Sequence, residues 1–283
     1  MIVMENVVVE YSKFKLNCSL QVSKGMITGL VGENGAGKTT AFKALLGLTP
    51  LDSGTVTIDD ISVDQLSSKD KEKIGTVLSD SFFNPVFTIK DINRLLKNFY
   101  QDYDETYFLT KCEQFNLPLK QKIKEFSTGM KAKLKTLTAL SHQAQILILD
   151  EPTSGLDVSA RYEILDMLQE YLDQYPDSCV LISSHISTDL ERICDDIYYL
   201  KQGKVLLHED TDVLLDMYGI LKADETMTDK IDQDFLLYRK RTTYGYDYLT
   251  NQMPFYKENY PNLIIEKPSI DQILLMVMGG EEI

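Results

Sequence analysis

The chain has 283 residues, 43% of them hydrophobic, enough for one large domain, or a domain and a smaller companion, around a substantial core. Acidic side chains outnumber basic ones by 43 to 29, giving a formal net charge of −14. That balance argues against a nucleic-acid partner and against adhesion to an anionic lipid surface, because both attract basic faces. The four cysteines, Cys18, Cys112, Cys179 and Cys194, lack the close pairing of a zinc site. Cys18 and Cys179 lie in apolar runs and read as core thiols of a protein in a reducing compartment. The first residues, MIVMENVVVEY, lack the basic-then-apolar order of a signal peptide. No run of about 18 apolar residues is present to span a bilayer. Work at a membrane would therefore need another chain to cross it.

Residues 2–10 and 16–22 read as strands, apolar or alternating and rich in β-branched side chains. Tyr11 follows the first. It reads either as a half-buried strand end or as a ring that stacks on a base. The apolar run 26–31 then leads into GENGAGKT, residues 32–39, and a helical pattern over 38–46. This is the strand–loop–helix setting of a phosphate-binding loop, with the pattern G-x-x-x-x-G-K-[ST] carried by Gly32, Gly37, Lys38 and Thr39. Glycines let the loop turn its amide N–H groups inward on a phosphate chain, and the following helix adds its own unpaired N–H groups. Lys38 is placed to reach the β- and γ-phosphates and Thr39 to hold Mg²⁺.

Gly47 caps that helix, Asp52-Ser53-Gly54 is a turn, and 55–58 and 74–78 are short strands. From about 89 to 140 the period changes to three and four, which predicts helices over 91–100, 105–115 and 130–140. This is a helical insertion into an α/β core. Ser127, ahead of the third helix, is a good N-cap. Residues 146–149, Ile-Leu-Ile-Leu, read as a strand buried on both faces, and Asp150 and Glu151 follow at its C-terminal end, where open α/β sheets bind ligands. Asp150 suits a Mg²⁺ partner and Glu151 a base for the attacking water.

The turn-rich stretch 152–157 leads to a helix over 160–172. A buried strand, 179–183, then ends at Ser184-His185, with His185 at the same sheet edge as the acid pair. Strands 196–200 and 204–208 flank Gln202-Gly203, a hairpin signal. Beyond about residue 210 the chain is rich in tyrosine and carries the cluster Arg239-Lys240-Arg241, a short strand at 263–266 and an apolar helix at 270–278 behind Pro268. It reads as an extension packed on the core rather than a binding module of its own.

Together these motifs resemble the ATPase subunits of ABC transporters over residues 1–217. Residues 32–40 look like the Walker A loop, 146–150 like Walker B, Glu151 like the catalytic glutamate, 154–157 like the D-loop and His185 like the switch histidine. Tyr11 matches the aromatic that stacks on adenine. Ser127-Thr128-Gly129-Met130 stands where the signature L-S-G-G-Q belongs, with Phe126, Thr128 and Met130 departing from it and Ser127 and Gly129 retained. Where the family has the Q-loop glutamine this chain has Ser79 and Asp80, either of which is a candidate for contact with Mg²⁺ or water.

The resemblance implies a P-loop NTPase fold of the RecA-like α/β type. It comprises a mostly parallel sheet, an N-terminal antiparallel β subdomain, an inserted helical subdomain at about 81–142 and a small α+β extension at 218–283. It implies ATP and Mg²⁺ as cofactors, with Glu151, His185 and Lys38 catalytic. Tyr11, Asn34, Gly35, Ala36, Gly37, Lys38, Thr39, Thr40, Ser127, Gly129 and Asp157 would contact nucleotide, and Thr39, Asp150 and Asp80 the metal. It further implies a second ATPase chain packed head to tail, homo- or heterodimeric, and separate transmembrane permease subunits at the cytoplasmic face of the membrane. The style of the motifs and tail looks like the single-domain ATPases of Gram-positive exporters of drugs, bacteriocins and peptides such as phenol-soluble modulins. Two other readings are a soluble ATPase of this type acting on ribosomes or DNA, and a nucleotide sensor with little turnover.

Overall fold

The computed structural model describes residues 1–79, 83–224 and 226–283. The chain forms two compact units: Met1–Cys194 with Leu200–Val205, and Asp195–Tyr199 with Leu206–Ile283.

The first unit begins with β1 (Ile2–Tyr11) and β2 (Phe14–Val22), an antiparallel pair. In β2 the side chains of Leu16, Cys18, Leu20 and Val22 point inward and alternate with exposed ones, the mark of a sheet with one wet face. β3 (Ile27–Val31) is buried at every position, and α1 (Lys38–Leu45) follows the loop after it. β4 (Ser53–Ile58) and β5 (Ile61–Ser62) complete an antiparallel sheet of order β2-β1-β4-β5, the expected N-terminal β subdomain. The short helix α2 (Ser68–Glu72) leads into β6 (Ile74–Val77).

The helical insertion follows as α3 (Ile89–Phe99), α4 (Glu105–Gln114) and α5 (Thr128–Leu140), each within two residues of expectation. Each starts on a side-chain cap, Thr88, Asp104 and Ser127, which accepts one of the N–H groups that a helix start leaves without a partner. β7 (Ile146–Asp150), α6 (Val158–Gln174), β8 (Cys179–Ser184) and α7 (Ser187–Ile193) return the chain to the core. β3, β8, β7 and β6 are neighbours in that order and run parallel, with Val31 beside Ser184 and Asp150 beside Ser183. β3, β7 and β8 have no exposed position, because a parallel sheet is covered on both faces. Burial pushes the thiols of Cys18 and Cys112 up to about 12 and that of Cys179 to about 11, so all three stay protonated as small core side chains.

The division between units falls in the hairpin of β9 (Asp196–Lys201) and β10 (Lys204–Asp210). The reason is local. His208 lies on Tyr198 with ring centroids 3.7 Å apart and reaches Asp196 Oδ2 at 2.6 Å, and the Thr211 N–H donates to Asp195 O at 2.9 Å. These contacts tie both hairpin arms to α8 (Thr211–Asp216).

The second unit continues with β11 (Gly219–Ala223), β12 (Leu236–Thr242), β13 (Gly245–Thr250), α9 (Met253–Asn259), β14 (Ile264–Glu266), α10 (Ile270–Gly279) and β15 (Glu281–Glu282). Its sheet has the order β14-β11-β13-β12-β15, antiparallel throughout. Part of the tyrosine-rich composition is core packing, whereas Tyr244 is 90% exposed. Tyr248 and Tyr256 are buried with Leu221, Ala223, Ile231, Leu236 and Leu263. The Tyr256 hydroxyl donates to Asp232 O at 2.6 Å, and the Tyr260 hydroxyl accepts from the Asp232 N–H at 2.9 Å. Tyr256 is thus buried, and Tyr260 half-buried against it, each with its polar tip satisfied. Tyr256→Ala removes a ring with no exposed surface, together with that hydrogen bond, and is expected to cost about 3–5 kcal/mol. Chemical denaturation of the full chain measures it as an earlier transition.

Candidate nucleotide-binding site

Between β3 and α1 the backbone makes a tight turn in which the Ala36 N–H donates to Glu33 O at 3.0 Å. Gly37 caps α1 at φ +112°, a conformation that side-chain-bearing residues rarely adopt. It also has no room for a side chain, because a Cβ there would lie 2.6 Å from Cζ of the Phe14 ring. The loop is braced from behind by the β9–β10 turn. The Gly203 N–H donates to Ala36 O at 2.8 Å, and Gly203 O accepts from the Asn17 N–H at 2.6 Å.

Lys38 is 6% exposed. Its ammonium donates to Gly32 O at 2.6 Å and Glu33 O at 3.4 Å, and it lies 3.1 Å from Glu151 Oε1. The lysine is thereby folded back along the loop, with its charge at the mouth of the turn. Asp150, 1% exposed at the end of β7, is ringed by hydroxyls. Thr39 donates to Oδ2 at 2.8 Å, Ser79 donates to the same oxygen at 3.0 Å, and Ser183 donates to Oδ1 at 2.8 Å. These donors offset the cost of taking a carboxylate out of water.

Glu151 follows at φ +53°, a left-handed turn that ends the strand and costs of order 1–3 kcal/mol for a side-chain-bearing residue. Its N–H is held by Ser183 Oγ at 2.9 Å, and its Oε2 lies 2.6 Å from Nδ1 of His185. The adjacent parallel strands β7 and β8 thus deliver an acid pair and a histidine to one sheet edge.

These groups open on a cavity of about 1090 Å³. Of the residues singled out from sequence, Asn34, Gly35, Gly37, Lys38, Thr39, Thr40, Asp150, Glu151 and His185 line it. Ala36 is buried behind the loop. Ser127, Gly129 and Asp157 are not among the lining residues. Ser127 caps α5 by accepting the Met130 N–H at 3.2 Å, and Asp157 caps α6 by accepting the Ala160 N–H at 2.9 Å. Tyr11 is also outside the lining. It is 49% exposed, with its hydroxyl 3.3 Å from Thr49 Oγ1. Asp80 lies outside the described residues.

Ser183 and Phe14 were not anticipated. Phe14 lines the cavity, and Ser183 joins Asp150 to the backbone of Glu151. Ser183 carries one faint signal, a polar residue closing an otherwise apolar buried strand. Ser79, one of the two alternatives named at the Q-loop position, donates to Asp150, and the other, Asp80, is outside the described residues.

The family described as "ABC transporter" matches residues 16–154. The chain is 30% identical over 200 residues to the ABC transporter ATP-binding protein YtrB of Bacillus subtilis, a match that covers 71% of this chain and 68% of that one. It is 29% identical over 216 residues to the lantibiotic transport ATP-binding protein SrtF of Streptococcus pyogenes, covering 75% and 92%. Among solved structures, an ATP-binding subunit of an ABC transporter superimposes with a TM-score of 0.67 at 24% identity, covering 76% of this chain and 91% of that one, and shares its fold. No helix among the described residues is long and apolar enough to cross a membrane. The glycine-rich loop and the acid pair accord with these relationships, and the chain belongs to the ATP-binding proteins of ABC transporters, ATPases that hydrolyse ATP to drive transport.

Proposed function

We propose that this chain is the ATPase subunit of an exporter of peptide- or drug-like cargo, working from the cytoplasmic face of the membrane on separate transmembrane subunits. The observation that carries the reading is the convergence of Lys38, Thr39, Asp150, Glu151 and His185 on one cavity from three strand ends. The loop amides and Lys38 bind the β- and γ-phosphates. Glu151 accepts the proton of the attacking water, and His185 holds the Glu151 carboxylate in place. Thr39, Ser79 and Asp150 present only oxygen donors in one cluster, which suits Mg²⁺. No group of three acidic, histidine or cysteine side chains among the described residues forms a cage for a metal, which fits an ion shared with substrate phosphates. Bound there, Mg²⁺ neutralises charge on the β- and γ-phosphates.

Ser127 and Thr128 are exposed at the N-terminus of α5, and Gly129 is half-buried beside them. A capped helix start of this kind offers N–H groups to a phosphate. Its exposure supports a head-to-tail pair of ATPase chains in which α5 of one faces the nucleotide of the other. The kinship with a lantibiotic transport protein supports a peptide-like cargo.

The test is co-isolation. The tagged chain, extracted in mild detergent from the cell that makes it, is expected to bring down a multi-span membrane protein in stoichiometric amount and to show ATPase activity in that complex. Recovery with ribosomes or DNA instead, or a complex that binds ATP without turnover, overturns the reading.

A further inference from the structure

We infer that Lys135 is a positioning residue for metal binding: it holds the backbone at Leu78 so that the Ser79 hydroxyl stays on Asp150, and thereby sets how much Mg²⁺ the site needs. The inference rests on the nucleotide and Mg²⁺ reading of the cavity and adds a residue that none of the motifs contains.

α5 lies hard against β6. A Cβ on Gly75 would meet Ala139 O, so helix and strand approach backbone to backbone there. Lys135 sits four residues before Ala139, on the same face of the helix. A helical side chain leans toward the N-terminus of its own helix, which carries the Lys135 ammonium toward the C-terminal end of β6. There it donates to Leu78 O at 3.2 Å. Lys135 is half-buried and lines the nucleotide cavity together with Val77, Leu78 and Ser79.

The sheet stops short of the residues that Lys135 holds. β6 is the last strand in its sheet, and its ladder with β7 ends at the pair Val77 and Leu149. Ser79, two residues beyond, is exposed and still keeps its hydroxyl 3.0 Å from Asp150 Oδ2. The carbonyl of Leu78 and the nitrogen and Cα of Ser79 share one rigid peptide plane. A bond to that oxygen therefore fixes the Cα from which the Ser79 hydroxyl hangs. The bond is charge-assisted, which makes it stronger than one between neutral groups. Without it Ser79 is free to leave Asp150, and an ion binding there has to order the segment itself, at a cost in affinity. Partners that hold a metal's ligands in place are worth about ten- to a hundredfold in metal affinity. Lys135 acts through Ser79 and bears on neither the metal nor the phosphates itself.

The test is equilibrium binding of a non-hydrolysable ATP analogue to the full chain, in EDTA and over a series of free Mg²⁺ concentrations. The chains compared are the wild type, Lys135→Met, Lys135→Arg, Ser79→Ala and the double variant of Lys135→Met with Ser79→Ala. Methionine keeps an unbranched apolar stem and removes the donor. The half-saturating Mg²⁺ concentration is expected to rise about tenfold in Lys135→Met and about ten- to a hundredfold in Ser79→Ala. The double variant is expected to match Ser79→Ala within about twofold, because the strut then has no hydroxyl to place. Lys135→Arg still donates to a carbonyl and is expected to stay within threefold of the wild type. Affinity in EDTA is expected to stay within threefold throughout, which a general loss of structure would not spare. The inference is overturned by a shift under threefold in Lys135→Met, or by a further rise of fivefold or more when Lys135→Met is added to Ser79→Ala. A fivefold loss in EDTA for Lys135→Met also overturns it, since the ammonium then acts on the nucleotide. If Lys135→Met does not fold, Lys135→Ala, a substitution that a helix interior favours, gives the same readings. A wild type that binds the analogue no more tightly in Mg²⁺ than in EDTA refutes the metal reading of the cluster and the inference with it, a result set apart from the others because no variant is needed to reach it.

Discussion

Replacing Lys38 by alanine is expected to weaken ATP binding by two orders of magnitude or more and to leave no measurable turnover. The buried ammonium places a positive charge at the turn of the loop, 2.6 Å from Gly32 O. Charge-assisted hydrogen bonds of an ammonium to phosphate oxygens contribute about 1.5–3 kcal/mol each. Two of them correspond to a loss of roughly 10²- to 10⁴-fold, at 1.4 kcal/mol per tenfold. A second effect runs alongside. Glu151 is only 14% exposed and loses the partner at 3.1 Å that balances its charge. Its other oxygen keeps His185, so the chain still folds, with a lower melting temperature. Calorimetric titration with ATP reads the first effect and thermal unfolding the second. An affinity within threefold of the wild type refutes the assignment of Lys38 to the phosphates.

Glu151→Gln is expected to separate binding from hydrolysis. The substitution preserves shape, and the turned backbone at φ +53° is indifferent to the change of an oxygen for an amide. The glutamine has a consistent orientation in the site, with its carbonyl toward the Lys38 ammonium and its NH₂ donating to Nδ1 of His185. What it lacks is the ability to take a proton from water. Loss of a general base slows hydrolysis by about 10²- to 10⁴-fold. ATP affinity is expected to stay within a fewfold of the wild type. If, as proposed, two chains close on ATP and reopen after its cleavage, this variant remains closed, and size-exclusion chromatography with ATP is expected to show a dimer that ADP does not produce. Hydrolysis within fivefold of the wild type rules out Glu151 as the base.

The parts of the site that could be read from sequence are those that one short segment builds alone. The phosphate loop is eight consecutive residues between a strand and a helix. The acid pair closes a run of four apolar residues that only a strand covered on both faces explains. The ring of hydroxyls around Asp150 is of another kind. Thr39, Ser79 and Ser183 come from three separate segments, and only the parallel order of β3, β8, β7 and β6 brings them together. Tyr11 and Phe14 show the same limit. Both are aromatic and lie three residues apart, and spacing alone does not tell which one the turn sends toward Gly37.

In the second unit, β14 was legible as a short apolar run. β12 was hidden by Arg239-Lys240-Arg241, and β13 by tyrosines that suit a strand, a helix or a loop. Arg239 lies over the Tyr246 ring of the adjoining strand and pairs at 2.9 Å with Glu281, a residue far along the chain.

The hydroxyls of Thr39 and Ser79 converge on one oxygen of a carboxylate that is held in place from its other side by Ser183. Each pivots about a single C–O bond. Turning both hydrogens away exposes two lone pairs beside an anionic oxygen without displacing any backbone atom. A divalent ion bound there, as proposed, would meet three oxygens already gathered at one point, and the two hydroxyls would need only to turn to receive it. Such an oxygen-only cluster would favour hard ions such as magnesium and manganese over cadmium, which prefers sulfur.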